Sequence, residues 1–236
     1  DYDNDGLVDL YVTNSAGTKK NFLYKNLGGN NMELVTGISP VTDLFSSRNV
    51  SWSDIDSDGD LDLYVTNENG EKENLYRNNG GGSFEKMTDL IITTDGFNTM
   101  SSSWGDIDND GDLDLFLAND GSKNQLFRNE GNFVFTRVLT TDVSKVNAKS
   151  FSSAWADIDN DGDLDLFVTN AFQNGQRLKN NLYLNDGTGH LTEVTNEVVV
   201  MDEGWSYGCA FGDYDNDGFQ DLAVATTRFG NVDEAD

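Results

Sequence analysis

The sequence predicts an all-β protein, a β-propeller of four-stranded antiparallel blades. Three observations carry that reading. An acidic nonapeptide recurs about every 52 residues, four short apolar runs fall inside each period, and no amphipathic stretch of helical length is present. A period near 50 residues belongs to propellers and solenoids, and a parallel β-helix would need much shorter coils.

The nonapeptide is Asp1–Asp9, then Asp54–Asp62, Asp106–Asp114, Asp157–Asp165 and Asp213–Asp221. An aromatic precedes each internal copy by two residues: Trp52, Trp104, Trp155 and Phe211. These close the first strand of a blade, A. Strand B follows each acidic loop, as Leu10–Val12, Leu63–Val65, Leu115–Leu117, Leu166–Val168 and Leu222–Val224. Strand C is Phe22–Tyr24, Leu75–Tyr76, Leu126–Phe127 and Leu182–Tyr183, bracketed by Asn21/Asn26, Asn74/Asn78 and Asn181/Asn185. Past a Gly-rich turn comes strand D, as Glu33–Val35, Phe84–Met87, Phe133–Phe135 and Leu191–Val194. The runs are too short for helices, are rich in Val, Thr and aromatics, and end on Gly, Asn or Asp, as strands do.

The pattern places residues 1–236 in one propeller region with repeats starting at 1, 54, 106, 157 and 213. The first repeat lacks strand A and the last lacks C and D. The chain therefore reads as three complete and two partial blades, truncated at both ends, an arc continued by further blades of the same or another chain. An irregular five-bladed ring is the alternative.

Composition narrows the function. Against 42 Asp+Glu stand 15 Lys+Arg, for a formal net charge of −27, and 23 of the acids lie in the five nonapeptides. So few cations exclude nucleic-acid binding by counterion release, and docking on an anionic membrane surface. No apolar run is long enough to insert in a membrane. One cysteine, Cys209, permits no internal disulfide, and it reads as a small core residue of strand A. His190, the single histidine, reads as a turn residue.

Carboxylates packed this densely repel one another unless a cation sits among them. Side chains at loop positions 1, 3, 5 and 9 converge, Gly at position 6 allows the sharp turn, and the position 7 backbone carbonyl adds an oxygen. The ligand set is thus Asp1, Asp3, Asp5, Leu7 and Asp9; Asp54, Asp56, Asp58, Asp60 and Asp62; Asp106, Asp108, Asp110, Asp112 and Asp114; Asp157, Asp159, Asp161, Asp163 and Asp165; and Asp213, Asp215, Asp217, Phe219 and Asp221. Oxygen-only ligands select Ca²⁺, up to five ions, one per loop. An EF-hand is excluded: it needs Glu at position 12, where this chain has Val12, Val65, Leu117, Val168 and Val224.

With Phe211-Gly212 before the fifth loop and Asp-Leu-(Tyr/Phe)-Val-Thr-Asn after several, the chain resembles the FG-GAP, or VCBS-type, repeats. These form the propellers of integrin α-subunits, of cartilage acidic protein and of bacterial secreted proteins. The resemblance implies one Ca²⁺ per blade in the A–B loop, a ring of seven or eight blades, and an extracellular or cell-surface location. It implies a module for adhesion, protein–protein interaction or surface assembly, and no enzyme. The alternative is a carbohydrate-binding or polysaccharide-lyase scaffold of a secreted protein.

The B–C and D–A connections share the face opposite the acidic loops, where the resemblance places a protein or glycan ligand. Nine cations map there: Lys19, Lys20, Arg48, Lys72, Lys123, Lys145, Lys149, Arg177 and Lys179. So do Phe45, Phe97, Phe151, Phe172, Trp205 and Tyr207. Trp52, Trp104 and Trp155 are expected to pack blade against blade rather than to stack on sugars. Asn49-Val50-Ser51 is a glycosylation sequon.

Overall fold

The structure, a computed structural model, describes residues 1–227 other than 16, 18, 146, 174, 175 and 202. Successive antiparallel groups form the blades of an arc. The first holds β1 (Leu10–Val12), β2 (Phe22–Asn26) and β3 (Met32–Leu34). The second is complete, with β4 (Ser47–Ser53), β5 (Asp62–Asn67), β6 (Asn74–Asn78) and β7 (Phe84–Met87) in that order. The third has β8 (Thr99–Gly105), β9 (Asp114–Lys123), β10 (Gln125–Asn129) and β11 (Phe135–Arg137). The fourth has β12 (Asn147–Ala156) and β13 (Asp165–Asn170), then a side hairpin of β14 (Phe172–Gln173) and β15 (Gln176–Lys179), then β16 (Asn181–Leu184) and β17 (Thr192–Val194). After β18 (Glu203–Gly204), β19 (Ser206–Gly212) and β20 (Asp221–Thr226) form the fifth.

Each B–C connection pairs with the D–A connection that leads into the next blade. Lys19 bridges to Phe45 and Lys72 to Gly96. The end of β9 pairs with the start of β12, and β15 pairs with β18. These connections therefore share one face, as the sequence predicts.

Two details differ from the sequence reading. Single helical turns occur in the D–A connections, at Ser39–Thr42, Ile91–Thr94 and Val198–Met201, with a 3-10 turn at Asp142–Lys145. One turn is too short to show a 3.6-residue period, yet each turn buries an apolar side chain: Val41, Ile92, Val143 or Val200. In the third blade the D strand starts at Phe135 rather than Phe133. Asn132 and Phe133 have φ of 51° and 60°, so they form the turn, and Phe133 is buried in the cluster shared with the second blade.

The core lies between blades. The aromatic that closes each A strand meets an aromatic of the preceding B strand edge-on: Tyr11–Trp52, Tyr64–Trp104, Phe116–Trp155 and Phe167–Phe211. Such a pair contributes about 0.5–1.5 kcal/mol beyond its buried area. The indole N–H of Trp104 also donates to Ser51 of the second blade. The tryptophans pack blades, as expected from their spacing. Cys209 is half-buried in the last of these clusters, and burial pushes its thiol up to about 11.

A buried polar ladder crosses the blades at the opposite end of the strands. Asn21 donates its amide to Ser47, whose hydroxyl donates to Asn67. Asn124, Ser150 and Asn170 repeat this, and Asn180 reaches Ser206. In the second blade the amide is replaced by Glu73, 2.6 Å from the Thr99 hydroxyl, which also lies 2.8 Å from Asn119 Oδ1. A hydroxyl has one proton to give. All contacts are satisfied when Glu73 is the protonated acid, donating to Thr99 as an amide would, while Thr99 donates to Asn119. Burial pushes the Glu73 carboxyl up to about 8, in agreement with that count.

Candidate metal centre

The acidic loops share one backbone. Position 4 is left-handed in every copy, with φ of 59° at Asn4, 59° at Ser57, 58° at Asn109, 60° at Asn160 and 61° at Asn216. Short polar side chains tolerate that region because they bond locally. Gly at position 6 is left-handed as well, with φ between 88° at Gly6 and 97° at Gly162. A side chain there would be strained.

Hydrogen bonds fix three of the carboxylates. The position 1 oxygens accept the N–H groups of positions 5 and 6 in all five loops. Position 5 accepts the N–H of position 7. Position 9 accepts the N–H of position 2 and, in the first four repeats, that of the Asn ending strand C. That Asn also ties the blades together. Asn78, Asn129 and Asn185 donate to the carbonyls of Tyr2, Ile55 and Ile107 in the preceding loop.

Position 9 is therefore buried in the second, third and fourth loops. Asp62 and Asp114 are fully shielded, and burial pushes their carboxyls up to about 7. Burial raises Asp165 too.

Position 3 is held less firmly: of the five, only Asp215 accepts a backbone donor within the loop, the N–H of Asp217 at 3.2 Å. The buried Oδ1 atoms of Asp3, Asp56 and Asp108 have no hydrogen-bond partner. In every loop three carboxylate oxygens approach within 4.8 Å of one another, from positions 1, 3 and 5 in the first two and positions 1, 3 and 9 in the last three. Oriented carboxylates around an orphaned buried oxygen fit a hard divalent cation such as Ca²⁺. When bound it would supply the positive charge that holds the loop closed. Position 7 side chains stand outside these clusters: Asp60 and Asp163 instead accept the amides of Asn4 and Asn109 from the preceding loop.

The sequence reading missed a recurrent cation on strand C. Lys25 pairs with Asp3 and Asp5 and holds the Asp5 carboxyl below the usual range. Arg77 lies 2.6 Å from Asp56 and 3.2 Å from Asp58, and Arg128 lies 2.9 Å from Asp108. The signal was present, as a basic residue before the closing Asn of strand C. In the fourth repeat that residue is Leu184.

The opposite face is less cationic than expected, because three of its nine cations are paired. Arg48 pairs with Glu68, Lys145 with Asp142 and Lys149 with Asp120. Lys19, Lys20, Lys72, Lys123, Arg177 and Lys179 are exposed. Phe45 carries Lys86 over its ring, and Phe151 and Tyr207 stack edge-on at 4.7 Å. Phe172 is described in its backbone only, and residues 174 and 175 of that connection lie outside the described residues. Phe97 borders a cavity of about 280 Å³ with Lys123, Gln125 and Leu139, and a shallower one of about 370 Å³ with Asn69, Asn98 and Asp120. The sequon residue Asn49 accepts both the N–H and the hydroxyl of Ser102, which commits its side chain to packing between A strands.

A propeller arc with one acidic, cation-shaped loop per repeat is the class of protein that this geometry defines. The FG-GAP-like repeat model matches residues 1–65, 54–117, 106–168 and 170–224, and the chain belongs to that family. It is similar to cartilage acidic protein 1 of Xenopus tropicalis, 28% identical over 200 residues that make up 75% of this chain and 30% of that relative. Its fold is similar to that of an Agrocybe aegerita lectin solved for its recognition of non-reducing terminal N-acetylglucosamine. The TM-score is 0.54 at 18% identity, covering 91% of this chain and 60% of the lectin chain. The chain thus spans less than a third of the curated relative it matches. Among the described residues no helix is long and apolar enough to cross a membrane.

Proposed function

We propose that this chain is part of a calcium-binding, non-enzymatic extracellular propeller module that acts in adhesion, protein–protein interaction or surface assembly. The observation that carries the metal reading is the buried, unpartnered position 3 oxygen inside an oriented carboxylate cluster. Calcium in each A–B loop stiffens the arc and leaves the opposite face to carry the ligand. A ring of seven or eight blades would also cover the apolar side chains exposed at both ends of the arc, Leu10, Val12, Phe22 and Leu34 at one and Tyr214 and Phe219 at the other.

The second reading is a carbohydrate-binding scaffold. The apolar Phe97 floor with Asn and Asp around it suits a sugar face, and the lectin neighbour supports it. Arrays of extracellular proteins and of glycans, probed with the chain in millimolar calcium, separate the two. Saturable binding to a protein partner supports the first reading. Saturable glycan binding abolished in Phe97→Ala replaces it with the second.

A further inference from the structure

The repeats differ in what stands beside the position 3 carboxylate. In the first three loops a strand C cation already pairs with it: Lys25, Arg77 and Arg128. In the fourth loop the equivalent residue on β16 is Leu184, fixed by the register that sets Tyr183 opposite Leu166 as Phe127 is set opposite Leu115. Among the described residues no basic side chain pairs with any of Asp157, Asp159, Asp161, Asp163 or Asp165. The fourth loop keeps all five carboxylates uncompensated. The second and third set five against an arginine, and the first sets four against Lys25.

We infer that the strand C residue before the closing Asn sets the divalent-cation affinity of each A–B loop, and that the fourth loop is the tightest of these four sites. The inference rests on the calcium reading above and adds an order to it: fourth loop first, second and third next, first last. The physics is a competition. A fixed cation near 3 Å from a ligand carboxylate repels an incoming divalent ion and offsets part of the loop's charge, and calcium affinity in oxygen sites follows ligand charge count. One unit charge at this range changes affinity by about tenfold or more. The same cations give the first three loops partial compensation without metal. The fourth loop has none, so it depends most on the ion.

Calorimetric calcium titrations of the full chain test this in four forms: parent, Arg128→Leu, Leu184→Arg, and Asp157→Asn/Asp161→Asn. The parent should show one tight equivalent ahead of the others, and the double Asn variant should lose it. Leu184→Arg should weaken that equivalent by about tenfold or more. Arg128→Leu should bring up a second tight equivalent. Leu184 is half-buried at the end of β16, so arginine there has a route to solvent; far-ultraviolet circular dichroism of each variant reports whether the fold persists. Weaker binding in Arg128→Leu, or identical isotherms in parent, Arg128→Leu and Leu184→Arg, overturns the inference while calcium binding stands. No calcium uptake by the parent overturns the calcium reading itself.

Discussion

Excess EGTA should lower the melting temperature of the full chain by roughly 20 °C relative to the same protein in 10 mM calcium. Linkage sets the size of the effect. A site held at 100 times its dissociation constant stabilises the native state by about 2.7 kcal/mol. Extracellular oxygen sites reach that condition near 10 mM when the constant is about 10⁻⁴ M. Three such sites together shift the melting point by roughly 16–32 °C, at about 2–4 °C per kcal/mol for a chain of this size. The structural reason lies in the loops. Position 9 is buried at the base of each complete blade, and position 1 is tied to two N–H groups of its own turn. Position 3 buries an oxygen without a donor in three loops. Without a cation these groups repel one another inside the hairpin that links strands A and B. A melting curve that EGTA leaves unchanged would show that the loops hold themselves closed, with Lys25, Arg77 and Arg128 sufficient for the purpose.

Glu73→Gln should stabilise the protein at pH 8 and above, by roughly 2–4 kcal/mol, and flatten its stability between pH 5 and 8. The folded-state carboxyl sits at about 8 against a reference of 4.5, because burial opposes its charged form. Between those values the native state binds more protons than the unfolded chain. Its contribution is therefore fully present below pH 4.5 and is lost as pH rises through about 8. Gln presents the same shape, accepts the Asn67 N–H and donates to Thr99, as Asn124 and Asn180 do in their blades. Tyr64 is the titratable side chain that feels the Glu73 charge, and ionising Glu73 raises the Tyr64 hydroxyl further. Denaturant unfolding of parent and Glu73→Gln at pH 5.5, 7 and 8.5 reads the effect. Parallel profiles would mean that Glu73 is ionised throughout. Glu73→Ala should destabilise at pH 5.5, where the parent carboxyl is protonated, since it leaves the Asn67 N–H buried without a partner.

The acidic loops were legible because chemistry confined them to nine residues and repetition removed chance. The blade-packing role of Trp52, Trp104 and Trp155 followed from the same period. Other features depend on register between distant residues. Lys25, Arg77 and Arg128 lie about one hairpin beyond the loops they touch, on a strand whose neighbours attract attention as core. The Asn bracket around strand C appeared in the sequence with Asn21, Asn74 and Asn181 as equivalents. Strand pairing instead aligns Asn21 with Glu73, Asn124 and Asn180, a one-residue offset that hid Glu73 as an ordinary charged loop residue. The charge on the opposite face was read from counts of Lys and Arg alone. Asp120, Asp142 and Glu68 neutralise part of it, which only the packing of the connections reveals.

The central claim is that each A–B loop holds one calcium ion. Equilibrium dialysis of the full chain against radioactive calcium, at a free concentration rising to 10 mM, counts the sites directly. Five equivalents per chain at saturation, falling to four when Asp108 and Asp110 are both replaced by Asn, is the expected result. Saturation below five equivalents, or five equivalents that persist in that variant, would contradict it.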